Sequence, residues 1–207
     1  MKVLIINGSP RREGNTATAL KEAAMQLEKN GIETETIWIG NKAVRGCIAC
    51  NQCKENADKR CVFGDTDLTN EVIAKMGECD GIIIGAPVYW GQPAAQAMAL
   101  QQRMLYAGGA NFAGKPAAAV CVCRRGGASA AFQTLQMPFQ MMNMPIVTSQ
   151  YWNIAYGRNP GETAQDVEGL QTMRTLANNM ALLLQKFATG TAKVEEREPW
   201  NPMNFIR

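Results

Sequence analysis

The stretch Asn7-Gly8-Ser9-Pro10-Arg11-Arg12-Glu13-Gly14-Asn15-Thr16 joins the apolar run Val3-Leu4-Ile5-Ile6 to a helical pattern that opens near Thr16. A buried strand, a polar glycine-bearing loop and a helix start, in that order, make an anion site. The free N–H groups of the first helical turn point at the bound group, and the helix dipole favours negative charge there. Ser9, Asn15, Thr16 and Thr18 add hydroxyl or amide donors, and Arg11 and Arg12 add positive charge. Ligands of open α/β sheets gather at the carboxyl ends of the strands, which is where this loop stands. It carries neither G-x-G-x-x-G nor G-x-x-x-x-G-K-S/T, so a mononucleotide phosphate suits it better than a dinucleotide or a nucleoside triphosphate.

Outward from this loop the same alternation repeats. Lys2–Ile6 reads as a strand buried on both faces, because its apolar residues run on without alternating. A helix over Thr16–Asn30 places Ala19, Leu20, Ala23, Ala24 and Leu27 inward and ends at Asn30-Gly31. Glu33–Ile39 reads as the second strand and Asp65–Lys75 as a helix. Gly81–Ile84 is a central strand, and Gln92–Tyr106 a helix with Pro93 in its first turn. Ala117–Cys123 and Ile146–Gln150 are the fourth and fifth strands, separated by a helix over Ala128–Met142. Thr163–Phe187 closes the chain as a long helix. Five apolar strands alternating with helices imply an α/β fold: a doubly wound, five-stranded parallel sheet with helices on both faces. No linker or repeat divides residues 1–207, so one domain is expected. It has a cysteine-rich insertion at about 41–64 and a polar tail from about 189.

Composition narrows the function. A net charge of +3, from 21 basic and 18 acidic residues without a long basic run, argues against nucleic acid and is compatible with small anions. No apolar run approaches the ~18 residues that span a membrane, and no secretion signal is apparent, so a cytoplasmic location is expected. Seven cysteines without such a signal do not make a disulfide framework. There is no histidine, which excludes Ser-His and Cys-His catalysis and leaves any metal to thiolates or carboxylates. The chemistry is therefore expected of a cofactor, with no catalytic side chain of its own.

Two further loops stand at strand ends. Pro87-Val88-Tyr89-Trp90-Gly91 sets two flat side chains beside accessible backbone, which suits stacking on a planar heterocycle. Arg124-Arg125-Gly126-Gly127 brings positive charge that could stabilise an electron-rich ring, with Arg124 taken into the candidate site. Its glycine pair permits close backbone approach. In a doubly wound sheet all three loops face one edge.

Gly8-Ser9-Pro10-Arg11 with Gly14-Asn15-Thr16, together with Ala86-Pro87-Val88-Tyr89-Trp90-Gly91, resembles the NAD(P)H-dependent FMN reductase family of flavodoxin-like proteins. The resemblance runs from about Met1 to Gly157. It implies that Ser9, Arg11, Asn15 and Thr16 hold the FMN phosphate. Pro87, Val88, Tyr89, Trp90 and Gly91 would line the isoalloxazine, and Gly126 and Gly127 border its other edge. It also implies NAD(P)H as an electron donor and a homodimer or homotetramer. One helix departs from the family pattern, with Met98 and Gln102 where Lys and Asp are usual, which touches the detail of a subunit contact more than the flavin site.

Cys47-x2-Cys50-x2-Cys53-x7-Cys61 is similar to the compact motif of the iron–sulfur flavoproteins, a branch of the same family that binds a [4Fe–4S] cluster. Two successive x2 gaps let three thiolates of one loop reach three corners, and the longer gap brings the fourth around. Four thiolates also suit zinc, and free thiols are the third outcome. Cys79, Cys121 and Cys123 read as small core residues, with Cys123 the one placed to touch flavin. The leading expectation is an FMN oxidoreductase whose cluster relays electrons to or from a small-molecule or ferredoxin-like partner. The rivals are a cluster-free NAD(P)H-dependent FMN or quinone reductase, and a non-enzymatic flavodoxin-type carrier or binding module with structural zinc.

Overall fold

In a computed structural model of the chain, residues 1–190 and Glu198 are described. Most of the tail expected from about 189 lies outside the described residues. The elements run β1 (Lys2–Asn7), α1 (Asn15–Lys29), β2 (Glu33–Trp38), the single turn α2 (Gln52–Glu55) and α3 (Thr69–Gly77). Then follow β3 (Gly81–Tyr89), β4 (Gln92–Pro93), α4 (Ala95–Phe112) and β5 (Ala117–Cys123). The chain continues through α5 (Ala128–Met141), β6 (Ile154–Tyr156), a 3-10 turn (Glu162–Gln165) and α6 (Val167–Ala188).

The sheet order is β2-β1-β3-β5-β6, all parallel, with the short β4 paired antiparallel to β3. Strand periodicity sorts the core into two layers. Leu4, Ile6, Ile82, Ile84, Ala119 and Cys121 face α3, α4 and α5. Val3, Ile5, Ile83, Ala118 and Val120 face α1 and α6. Because both faces are covered, the strands read as continuous apolar runs, and the doubly wound expectation holds.

Among the boundaries that differ from the sequence reading, three have a cause visible in the contacts. The fifth strand is Ile154–Tyr156, not Ile146–Gln150, and Ile146 makes only an isolated bridge to Ala117. The polar excursion between them is closed by the Ser149 hydroxyl, which donates to the Tyr151 carbonyl (2.6 Å) and Asn153 Oδ1 (2.8 Å). The Asn153 amide in turn donates to the Ala119 carbonyl (3.1 Å), so a side chain replaces a rung of the sheet. Second, β3 extends through Tyr89, and the chain reverses at Trp90-Gly91. Both residues have positive φ (54° and 76°), as a two-residue hairpin turn requires. Gln92 and Pro93 are therefore strand, and the helix begins only at Ala95. Third, α3 starts at Thr69 rather than Asp65; the Asp67 carboxylate, two residues before it, accepts from the Thr69 N–H (3.0 Å) in a local turn.

Candidate functional site: a phosphate cleft and a cysteine cavity

The ends of β1, β3 and β5 open onto one cleft of about 210 Å³. Its lining takes Ser9, Arg11, Asn15 and Thr16 from the first loop and Pro87, Val88 and Tyr89 from β3. Cys123 and Arg124 come from the end of β5. Trp90, Gly91, Gly126 and Gly127 do not line it. Trp90 stands fully exposed at the hairpin tip. Gly127 packs behind instead: at φ 85°, a Cβ there would meet the Gly91 Cα at 2.8 Å, so the glycine keeps the third loop against the hairpin.

The phosphate loop is built before any ligand arrives. Asn7 Oδ1 accepts from the Ser9 N–H (3.1 Å), and Asn7 Nδ2 donates to the Arg12 carbonyl (3.2 Å). Ser9 Oγ accepts from the Arg11 N–H (3.1 Å), which leaves its own O–H to donate. The Trp38 indole N–H donates to the Ser9 carbonyl (2.8 Å). The N-cap of α1 is Gly14, with no side-chain cap, so the first-turn amides stay free for an anion. Arg12 turns away and lies over the Trp38 ring (5.7 Å), whereas Arg11 faces the cleft.

Sequence reasoning missed the loop that closes this cleft. Gly157 and Arg158 complete the lining. The Cys123 carbonyl accepts from the Gly157 N–H (3.0 Å), tying that loop to the end of β5. The Asn15 amide spans the gap: Nδ2 donates to the Asn159 carbonyl (2.9 Å) and Oδ1 accepts from the Thr163 N–H (3.2 Å). Asn15 thus orders the cleft's rim as well as lining it. Burial pushes the Cys121 thiol up to about 12, and burial likewise raises Cys123, partly offset by the Arg125 N–H. Both are neutral at physiological pH, and with Cys79 they are buried as expected.

A larger cleft of about 560 Å³ flanks the edge strand β2, lined by Arg12, Glu35, Trp38 and Lys75 among others. Several of its charges are already engaged: Glu35 pairs with Lys2 (2.5 Å) and with Lys75, and Glu13 pairs with Lys21. Size is a weaker guide here than position, and the smaller cleft is the one on which three strand ends converge.

The four motif cysteines line one small cavity with Ile48, Phe63, Arg103 and Tyr106. Cys53 is buried, and desolvation raises its pKa. Cys61 is half-buried, and Cys47 and Cys50 are exposed. Among the described residues no three His, Cys, Asp or Glu side chains stand as a ready-made metal-ion site. What these thiols share is a cavity. The donor set fits a thiolate-ligated cluster: four sulfurs, one loop, an apolar wall and N–H donors aimed at one sulfur. Cys61 is the most firmly fixed. Asn70 Oδ1 accepts from its N–H (2.8 Å), and Asn70 Nδ2 donates to its carbonyl (3.0 Å).

Arg103 is the second residue that sequence reasoning missed. Its Nε and Nη2 each stand 3.3 Å from Cys61 Sγ, and Nη1 pairs with the Asp67 carboxylate. The pair is almost wholly buried, with side chains 1% and 4% exposed. The available signal was an Arg on the core-facing stripe Leu100-Arg103-Met104-Ala107 of an apolar helix.

An open parallel sheet of this order, covered on both faces and carrying an anion loop after its first strand, defines a flavodoxin-like fold. Residues 1–159 match the family described as NADPH-dependent FMN reductase. An iron–sulfur flavoprotein of Methanocaldococcus jannaschii is 38% identical over 189 residues, covering 87% of this chain and 96% of the relative. One of Methanosarcina thermophila is 34% identical over 191 residues, covering 89% and 96%. Among solved structures, RosB with bound 8-demethyl-8-formylriboflavin-5'-phosphate superposes with a TM-score of 0.69 at 16% identity, covering 100% of this chain and 96% of that one. An NADH:FMN oxidoreductase in its apo form gives 0.63 at 15% identity, covering 88% and 89%. The chain therefore belongs to the NADPH-dependent FMN reductase family, alongside its iron–sulfur flavoproteins. It is an FMN-binding flavoprotein and a flavin-dependent oxidoreductase. No helix among the described residues is long and apolar enough to cross a membrane.

Proposed function

We propose that this protein passes electrons between FMN and a second redox centre, a [4Fe–4S] cluster held by Cys47, Cys50, Cys53 and Cys61, and onward to a partner. The observation that carries the reading is that all four cysteines line a single cavity, with hydrogen-bond donors on one sulfur. Bound FMN supplies hydride and one-electron chemistry. The chain's own part is to bind and orient it. The α1 amides, Ser9, Arg11, Thr16 and Arg158 take the phosphate. Pro87, Val88 and Tyr89 bound the ring system, and Arg124 offers positive charge at its edge. The relay suits a small-molecule or ferredoxin-like partner that deals in single electrons. The exposed aromatics Trp90, Tyr151 and Trp152 support a homodimer or homotetramer that covers them. Seven free cysteines agree with a cytoplasmic setting, where thiols stay reduced.

The family match favours a second reading, direct reduction of FMN or a quinone by NADPH with no cluster. Anaerobic stopped-flow kinetics separate the two. In iron-loaded protein, a reduced ferredoxin should bleach the flavin, and Cys61→Ser should slow this at least about tenfold while FMN stays bound. Flavin bleaching by NADPH that is as fast in Cys61→Ser as in the parent, with none from ferredoxin, would favour the cluster-free reductase.

A further inference from the structure

The buried Asp67–Arg103 pair has no place in flavin binding, and it is an unusual thing to bury. A desolvated ion pair is weak evidence for stability, since replacing one with packed apolar residues is often neutral. Its geometry points elsewhere. Arg103 leaves α4 at a core-facing position and turns two N–H groups onto Cys61 Sγ at 3.3 Å, while Nη1 also donates to the Arg45 carbonyl (3.2 Å). The guanidinium lies over the Phe63 ring at 4.8 Å, which fixes its plane. Asp67 is held by the Thr69 N–H and pairs with the third guanidinium nitrogen. Burial opposes ionisation of Asp67, but hydrogen bonds from Arg103 and Thr69 outweigh it and keep the carboxylate below its ordinary range. Two nitrogens of this fork are thus aimed at one sulfur.

We propose that Arg103 and Asp67 set the reduction potential of the cysteine site: Arg103 raises it by donating to Cys61 Sγ, and Asp67 limits how far. This rests on the cluster reading given above. Adding one electron to a thiolate-ligated cluster places more negative charge on its sulfurs. N–H donors and a neighbouring cation stabilise that reduced form, and hydrogen bonds to sulfur with local charge are recognised determinants of such potentials. Arg103 supplies both, in a site where little water screens it. Asp67 opposes the cation, so the two residues act with opposite sign. Arg103 is a positioning residue in this scheme, acting through Cys61.

The opposite signs make the test. Arg103→Lys keeps the charge but loses the planar fork. Asp67→Asn keeps the fork but removes the counter-charge. Asp67→Asn is isosteric, and Arg103→Lys keeps a cation on a shorter side chain. Parent and variants are reconstituted without oxygen, assayed for iron, sulfide and FMN, and titrated with a chemical reductant and mediators while the cluster is followed by electron paramagnetic resonance. Arg103→Lys should disfavour reduction by at least about tenfold, ~59 mV for a one-electron couple. Asp67→Asn should favour it, and the flavin couple read in the same titration should stay put. Cluster potentials that do not move, that move in the same direction, or that move together with the flavin would overturn the proposal. A variant that binds FMN normally but takes up no iron would make the pair a scaffold and overturn it too. A parent protein that takes up no iron would instead remove the cluster reading itself.

Discussion

Gly8→Ala should destabilise the fold by about 2–3 kcal/mol, lower Tm by roughly 5–10 °C and weaken FMN binding with it. Gly8 is the first residue past β1, where its N–H donates to the Gly85 carbonyl at 2.7 Å. A Cβ at this position would lie 2.7 Å from that same carbonyl oxygen and 2.8 Å from the Ala97 Cβ. Neither neighbour can swing aside. One is the backbone of a central strand at Gly85 and the other the short side chain of Ala97 on a packed helix, and both residues are buried. Relief requires β1 and β3 to part at their carboxyl ends, the two ends that carry the phosphate loop and the ring-binding strand. Stability and cofactor affinity therefore fall together. Gly126→Ala is the control, since a Cβ there meets nothing within 4 Å, and it should leave Tm within about 1–2 °C of the parent. Thermal unfolding with and without FMN reads both quantities. A Gly8→Ala protein as stable as the parent would mean that the strands can separate freely.

Asn15→Asp should weaken FMN binding by about thirtyfold, close to 2 kcal/mol, for two reasons. The first is charge, because a carboxylate in the first turn of α1 stands beside the phosphate. The second is a lost donor. Asn15 Nδ2 holds the Asn159 carbonyl and Asn15 Oδ1 holds the Thr163 N–H, and Asp can satisfy only the latter. A carboxylate oxygen would then face the Asn159 carbonyl, and the loop carrying Gly157 and Arg158 would loosen. Asn15→Ala drops both hydrogen bonds without adding charge. The difference between the two variants, measured by flavin fluorescence titration, isolates the charge effect, which salt should diminish. Equal affinities for parent and Asn15→Asp would place the phosphate elsewhere.

How much of this was legible beforehand depended on the range of the interactions. The parallel sheet could be read because Val3–Ile6, Ile82–Ile84 and Ala117–Cys123 are buried on both faces, and such strands cannot alternate. That Ser9, Arg11, Asn15 and Thr16 line one cleft could be read because a strand–loop–helix segment is local in sequence. The fifth strand was misplaced because its missing rung is supplied by the Asn153 side chain, a contact across 34 residues to Ala119. The full exposure of Trp90 was not legible, because the sequence shows only an aromatic next to Gly91. It does not show that both adopt left-handed backbone and turn the indole into solvent. Asn15's second role needed a partner 144 residues away, and the importance of Arg103 needed Asp67 and Cys61 brought to it by the cysteine segment.

The central claim is that one chain carries two redox centres, a flavin at the strand ends and a cluster on the cysteine loop. The most direct test is the cofactor content of protein purified and reconstituted without oxygen, with FMN, iron and acid-labile sulfide measured per chain beside the visible spectrum. One FMN with about four iron and four sulfide per chain, and a broad thiolate-to-iron absorption beneath the flavin bands, is the expected result. One FMN with neither iron nor sulfide would contradict the two-centre claim and leave a flavin reductase with free thiols.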